Sequence, residues 1–275
     1  PSRTGELNVA TRNVRSLSLT GRRGVDHAEV LLRKCKVLGC DVIGLQEKRR
    51  PEWSEFDVAG YRVFCSRVDG SSGRAGHHGV RLAVKESIVR EAGWTQELAN
   101  ERLISITFNS AGKSNAITFV VAYGPTDDTM PNTREQKDVF WADLESAVSR
   151  VPSSDHLFVL IEANARTGVR MGEKEGCKVI GAYGRDNRVS DSNGPSLLRF
   201  VGDNKLALVN TFFSVSKGCT SRTFNGTWPT NRKRIDYIIT RHPHHKLVRN
   251  VTVRLQPRAD SDHNIVCARV RLPGK

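Results

Sequence analysis

Much that organises other chains of this size is missing here. Among six cysteines, at 35, 40, 65, 177, 219 and 267, no pair has Cys-x-x-Cys spacing and no histidine follows at zinc-finger distance. That excludes the usual structural zinc sites and points to a reducing, intracellular compartment. Cys35 and Cys267 sit in apolar surroundings and are expected to be core thiols. The longest apolar stretches, Ile117–Tyr123 and Leu157–Ile161, fall far short of the about 20 residues that a membrane span needs. The opening residues Pro1-Ser2-Arg3-Thr4-Gly5-Glu6 contain neither a methionine nor the apolar core of a signal peptide, and are read as the cut edge of a longer protein. No internal repeat or low-complexity linker divides the chain, so residues 1–275 are read as a single domain. A chain of this length can bury about three quarters of its unfolded surface and needs no covalent staples.

Acidic residues are also in deficit. Lys and Arg number 43 against 29 Asp and Glu, a net charge of +14, with an isoelectric point near 9.9. This balance favours a polyanionic partner. The cations are grouped: Arg12, Arg15, Arg22 and Arg23; Lys48, Arg49 and Arg50; Arg232, Lys233 and Arg234. Such runs are often only solvated faces, but these lie beside the acidic motifs described below.

What is present is a succession of short β-rich runs. Strands are expected near Leu7–Ala10, Val42–Leu45, Arg62–Arg67, Val80–Val84, Leu103–Phe108, Ile117–Tyr123, Leu157–Ile161, Leu206–Asn210, Ile235–Thr240 and Asn264–Arg271, most of them carrying Val, Ile or Phe and bounded by turn residues. Three segments have helical spacing. They are Asp26–Val37, through Val30, Leu31 and Val37; Asn132–Val151, through Val139, Phe140, Leu144 and Val148, with Thr133 and Gln136 as a capping box; and Ser192–Asp203, through Leu197, Leu198 and Val201, with Pro195 near its start. Many strands with few helices predict an α+β sandwich of two packed sheets covered by helices. A doubly wound sheet would need more helices between strands.

Polar residues recur at the strand ends. Asn13 follows the first strand, Gln46-Glu47 the second, Tyr123-Gly124-Pro125 the Ile117 run and Glu162-Ala163-Asn164 the Leu157 run. Asp236 sits in Arg234-Ile235-Asp236-Tyr237, and Ser261-Asp262-His263-Asn264 precedes the last strand. A carboxylate directly after an apolar strand is awkward to pack unless compensated. A hard cation compensates well, because Mg²⁺ takes one or two carboxylates plus phosphate oxygens and water. Taken singly, each residue has a plain structural role. Glu47 is a surface carboxylate at a strand exit, Asn13 and Asn164 are turn residues, and Tyr123 is a half-buried aromatic with a satisfied hydroxyl. Asp236 is less easily dismissed, since a buried carboxylate needs a partner and a nearby histidine would serve. His77-His78 and the His242, His244, His245 group read as solvated loops rather than metal sites.

Taken in order, the set resembles the endonuclease/exonuclease/phosphatase superfamily, which includes DNase I, exonuclease III and the abasic-site endonucleases. The likeness runs from Leu7 to about Leu272. Asn13-Val14-Arg15-Ser16-Leu17, Gly79-Val80-Arg81-Leu82-Ala83-Val84, Ala122-Tyr123-Gly124-Pro125 and Asn164-Ala165-Arg166-Thr167-Gly168 are similar to LINE-type (non-LTR) retrotransposon endonucleases and to the related craniofacial development protein 2 group. The resemblance implies a DNase I-like four-layer sandwich, mainly antiparallel, with the site at one end. It implies Glu47 as the principal Mg²⁺ ligand (Mn²⁺ being tolerated), with Asn13 and Asp262 beside it. Tyr123 and Asn164 would hold the scissile phosphate or the attacking water, Glu162 would orient or deprotonate that water, and Asp236 would orient His263 against the phosphate. Three positions depart from the family: Arg12 for Trp, Arg81 for Gly and Glu162 for Asp. The extra methylene at 162 is expected to carry its carboxylate about 1 Å too far, so that Asp there would nick faster.

Arg12, Arg15, Arg49, Arg166, Arg222, Arg232 and Arg234 are the expected DNA contacts, with Trp228 in the Ser216–Asn231 loop placed for stacking or minor-groove insertion, or equally for anchoring in the core. The resemblance implies a nuclear endonuclease that nicks double-stranded DNA to leave a 3′ hydroxyl. A reverse transcriptase domain of the same polyprotein would extend that end, and the isolated domain would be monomeric and membrane-free. The alternatives are a phosphatase of the same superfamily and a catalytically weakened DNA-binding derivative.

Overall fold

The computed structural model describes residues 5–15, 27–48, 55–66, 79–109, 115–126, 133–168, 179–184, 193–217, 219–226, 232–255 and 261–273. Arg22, Arg23, Arg49, Arg50, Arg67, His77, His78, Cys177 and Trp228 fall outside these ranges, as do the expected helix starts Asp26, Asn132 and Ser192. The elements run β1 (Glu6–Asn13), α1 (His27–Val37), β2 (Val42–Lys48), β3 (Glu55–Val58), β4 (Tyr61–Cys65), β5 (Gly79–Lys85), α2 (Glu86–Glu91), β6 (Gly93–Ala99), β7 (Leu103–Asn109) and β8 (Ile117–Tyr123). They continue α3 (Thr133–Ser149), β9 (His156–Glu162), α4 (Gly194–Asp203), β10 (Leu206–Leu208), β11 (Phe224–Asn225), β12 (Arg232–Lys233), β13 (Asp236–Arg241), β14 (Val248–Arg254) and β15 (Ile265–Arg271). No helix among the described residues is long and apolar enough to cross a membrane.

Seven strands form one sheet in the order β14-β15-β1-β2-β5-β4-β3, and six form a second, β10-β13-β9-β8-β7-β6. Neighbours run antiparallel except β1–β2 and β8–β9. Those two pairs are the ones joined through α1 and α3, because a parallel connection needs a crossover. The result is the α+β sandwich of two sheets flanked by helices that the strand pattern predicts.

Alternation along the strands builds three apolar layers. Between the sheets, Val9, Val42, Leu82 and Val84 of the first meet Val121, Phe158, Leu160 and Ile238 of the second. On the outer face of the second sheet, Leu157, Val159 and Ile161 pack under Phe140, Leu144 and Val148 of α3 and Leu197 and Val201 of α4. Strand β9 is buried at all seven positions, since both its faces are covered. On the outer face of the first sheet, Ala10, Ile43 and Ala83 pack under Leu31, Leu32 and Cys35 of α1. Gly44 lets the two sheets close on each other near one end: a Cβ there would lie 2.7 Å from Leu160 Cβ.

Some local expectations change. The buried stripe of α1 is Leu31, Leu32 and Cys35, whereas Val30 and Val37 are exposed, because the helix turns its 31–35 stripe to the sheet. Val139 of α3 is exposed for the same reason. Cys35 is buried as expected, and Cys267 is only half-buried at the edge of that layer. The strand expected to Asn210 ends at Leu208, and a 3₁₀ turn takes Val209–Thr211. Strands β3, β6 and β14 and the short helix α2 have weak sequence signals. β3, β6 and β14 are edge strands with polar residues on an open face, which dilutes the two-residue period.

Candidate active site

The polar strand-end residues meet at one end of the sandwich. In the second sheet Tyr123 pairs with Glu162 across β8–β9, and Glu162 pairs with Asp236 across β9–β13. Directly paired residues share a face, and Val121, Leu160 and Ile238, two positions away on each strand, point into the inter-sheet core. Tyr123, Glu162 and Asp236 therefore form a row facing the first sheet. In the first sheet Asn13 pairs with Gln46. Gln46 Nε2 crosses the interface, donating to Thr11 Oγ1 at 2.9 Å and to the Leu160 carbonyl at 3.1 Å.

Regular alternation would send Glu47 to the opposite face from Gln46. The pairing of β2 with β5 shifts between Leu45 and Lys48, and Glu47 adopts a left-handed φ of 62°. The bulge turns its carboxylate inward, where Asn13 Nδ2 donates to Glu47 Oε2 at 2.7 Å and also to Glu162 Oε2. Asn164, at φ 46°, is similarly turned in. Its side chain bonds the Tyr123 hydroxyl and donates to the Gly124 carbonyl at 2.9 Å. Left-handed non-glycine residues cost energy and gather where a side chain must be re-aimed. Gly124 is needed there for a different reason, since a Cβ would stand 2.6 Å from the Ala163 carbonyl oxygen.

His263 is the hub of the cluster. Its Nδ1 lies 3.0 and 3.1 Å from the two oxygens of Asp236. Its Nε2 lies 3.5 Å from Glu162 Oε1 and 3.8 Å from Asp262 Oδ1. Burial by itself pushes the imidazole toward neutrality, but Asp236 and Glu162 outweigh it and hold His263 up at about 9. Burial drives the Glu162 carboxyl well above the ordinary range, opposed by His263 and reinforced by Asp236 and Glu47. Burial likewise raises the Tyr123 phenol, with Glu162 and Glu47 adding to the effect.

His263 gains stability from its charged form. That contribution is fully present below the ordinary value of 6.5 and is lost as pH rises through about 9. Asp236→Asn is accordingly expected to lower the His263 midpoint in an NMR titration of the imidazole carbon-bound protons. It should destabilise the metal-free chain more at pH 6 than above pH 9. An unshifted midpoint would mean that Asp236 does not hold the charge.

The residues that brace the cluster were not legible in the sequence. Thr223 Oγ1 accepts the N–H groups of Ile235 and Asp236 at 3.0 and 3.1 Å. Ser261 Oγ donates to the Asn13 carbonyl at 2.9 Å and accepts the His263 N–H at 3.0 Å. Asn193, just before α4, spends its side chain on the carbonyls of Pro125 and Asn164, at 2.8 and 3.1 Å, rather than on capping the helix. Thr223 and Asn193 are lone polar residues with no pattern to single them out, and Ser261, although it opens the Ser261-Asp262-His263 run, gives no sign there of its bracing role.

The expected DNA contacts divide. Arg12 is 2% exposed, and its Nε donates to the His263 carbonyl at 3.2 Å. Arg234 is 6% exposed and donates to the carbonyls of Ser221 and Tyr183, both at 3.1 Å. These two guanidiniums brace loops from inside and leave almost no surface for a phosphate. Arg12 lies in one row with Leu45 and Arg81 on the outer face of the first sheet, and Arg81 stacks on Phe56 at 5.1 Å, so two of the family departures fall behind the site. Arg15 is exposed and pairs with Asp262 Oδ2 at 2.7 Å. Arg232 is exposed, and Arg166 and Arg222 are half-buried. Arg49 and Trp228 lie outside the described residues.

A divalent cation suits the donor set. The carboxylates of Glu47 and Glu162 share one amide nitrogen of Asn13, and Asp262 Oδ1 is buried without a hydrogen-bond partner among the described residues. These are hard oxygen donors in excess of nearby positive charge. Asn13 itself turns its nitrogen to the centre, because its oxygen accepts the Arg15 N–H at 2.7 Å. A tighter grouping of metal-capable atoms, Glu162, Asp236 and His263, is also present, but there Nδ1 of His263 is already engaged by Asp236.

Over 271 residues, 97% of its length, the chain is 27% identical to craniofacial development protein 2 of Bos taurus and spans 41% of that protein. The same protein of Tragulus javanicus is 27% identical over 271 residues, of which 42% is spanned. The chain thus covers about two fifths of the curated relatives it matches. Among solved structures, the endonuclease domain of TRAS1, a telomere-specific non-LTR retrotransposon, superposes with a TM-score of 0.62 at 18% identity, covering 98% of this chain and 100% of that one. The AP endonuclease LMAP from Leishmania major gives 0.70 at 16% identity, with 99% and 90% covered. At such identities the likeness speaks for the fold. The profile of the Endonuclease/Exonuclease/phosphatase family matches residues 10–263, an interval that holds every residue of the cluster around His263, and the chain belongs to that family.

Proposed function

We propose that the chain is a Mg²⁺-dependent endonuclease that hydrolyses a phosphodiester bond of double-stranded DNA and leaves a 3′ hydroxyl. The observation that carries this reading is the opposition of two groups at one end of the sandwich. The Tyr123–Glu162–Asp236 row with His263 faces the Asn13–Glu47 bracket of the other sheet. Glu47 and Asp262 would hold the cation, which when bound neutralises charge on phosphate oxygens as a Lewis acid. Tyr123 would donate to a non-bridging oxygen, its hydroxyl held by the Asn164 side chain. The raised Glu162 carboxyl is suited to proton transfer near neutral pH, and takes the proton of the attacking water in its ionised form. His263, kept charged by Asp236, would stabilise the negative charge that develops on the phosphate. The net charge of +14 fits a polyanion held through its phosphates, with little base preference in the binding itself.

By likeness to the TRAS1 domain, the parent protein would place a reverse transcriptase beside this one, use the nick as its primer and act in the nucleus. The test is supercoiled plasmid with Mg²⁺, with and without chelator. The expected result is a nicked circle only without chelator, whose 3′ end a polymerase extends directly. Inorganic phosphate released from phosphomonoesters, with plasmid left intact, would point to a phosphatase and overturn the reading.

A further inference from the structure

The row of site residues in the second sheet does not stop at Tyr123. The Tyr123 N–H donates to the Arg102 carbonyl at 2.9 Å, one step beyond the Leu103–Ala122 pair of β7 and β8. Arg102, Tyr123, Glu162 and Asp236 thus lie side by side on four neighbouring segments. The Arg102 guanidinium carbon stands 5.5 Å from the centroid of the Tyr123 ring, and Nη1 donates to the Tyr123 carbonyl at 3.3 Å. Arg102 is itself anchored. Its N–H donates to Asn100 Oδ1 at 2.9 Å, and Asn100 Nδ2 donates to Asp143 Oδ2 on α3, also at 2.9 Å.

A guanidinium against an aromatic face is attracted by the ring's quadrupole, and its flat fork covers the ring in a way a point charge does not. We propose that Arg102 is a positioning residue for Tyr123. Clamped to the ring and to the main chain of the same residue, it fixes the plane of the phenol so that the hydroxyl stays on Asn164. Tyr123 needs such a clamp because the ladder fixes its main chain beside Arg102 and Glu162 but leaves the ring, at the end of β8, to be oriented by side-chain contacts. No bond or proton changes hands in this role. The inference rests on the reading of Tyr123 as a contact to the scissile phosphate.

The test is a double-mutant cycle in single-turnover nicking with DNA affinity measured in parallel. Arg102→Gln is expected to slow nicking about tenfold with affinity unchanged, and to have no further effect in the Tyr123→Phe background. Arg102→Lys, which keeps the charge without the planar stack, is expected to recover part of the rate, and it serves in the same cycle where Arg102→Gln does not fold. An equal loss in both backgrounds, or a loss of affinity without a loss of rate, overturns the inference. A chain that does not nick at all would overturn the functional reading, and the clamp is then read directly. The chain has four tyrosines, so Tyr123→Phe assigns the Tyr123 ring resonances. These are expected to shift in Arg102→Gln, and unchanged resonances overturn the clamp.

Discussion

Glu47→Gln is expected to slow single-turnover nicking by about a thousandfold or more while leaving DNA affinity nearly unchanged. The amide keeps the shape of the side chain and can still bond to Asn13, but it removes the anionic oxygen aimed at the centre. Gln is preferable to Ala because residue 47 is held at a φ of 62° by the β2 bulge, and the long side chain there is bonded to Asn13 at 2.7 Å. The fold should not weaken, since the Glu47 charge works against ionisation of buried Glu162. Cleavage near the native rate, or native cleavage that persists in excess chelator, would remove Glu47 from the metal site.

The second large effect is at residue 162. Glu162→Gln is expected to reduce the rate by about three orders of magnitude, because the amide cannot accept the proton of the attacking water. From the sequence alone, Glu162→Asp should accelerate nicking. The structure supports the opposite expectation. The extra methylene carries the carboxylate across the gap between the sheets, to Asn13 Nδ2 on one side and within 3.5 Å of His263 Nε2 on the other. Asp would withdraw it from both, and a displacement on the order of 1 Å costs about a hundredfold. Single-turnover nicking by the native chain and the two variants decides the point. A Gln variant as fast as native would deny this carboxylate any role in proton transfer, and an Asp variant faster than native would restore the sequence-based expectation.

The candidate site was legible to an unequal degree. Asn13, Tyr123, Glu162 and Asp236 could be placed because each is a polar residue at the end of an apolar run, and the ends of adjacent strands must share one end of a sheet. That Tyr123, Glu162 and Asp236 form a row, with Asn13 facing it from the other sheet, depends on register, which no short-range pattern encodes. Glu47 shows the limit more sharply. Its alternation with Gln46 points it to the wrong face, and only the bulge brings it in. The arginines show the converse. Arg12 and Arg234 read as surface cations by composition, yet are buried, with carbonyls of distant segments, those of His263, Ser221 and Tyr183, accepting from their guanidiniums.

From the sequence alone follow the basic character, the two-sheet α+β class, most of the inner strands and the ordered set of polar strand ends. These rest on composition and on two-residue and helical periods, which are local. The tertiary structure alone decides the inward turn of Glu47, the bridge from Asn13 to two carboxylates, and the braces supplied by Thr223, Ser261 and Asn193. It alone sets Arg102 on the ring of Tyr123. Each of these depends on contacts between residues far apart in the chain, where a single hydrogen bond or ring contact sets the geometry and leaves no period behind it.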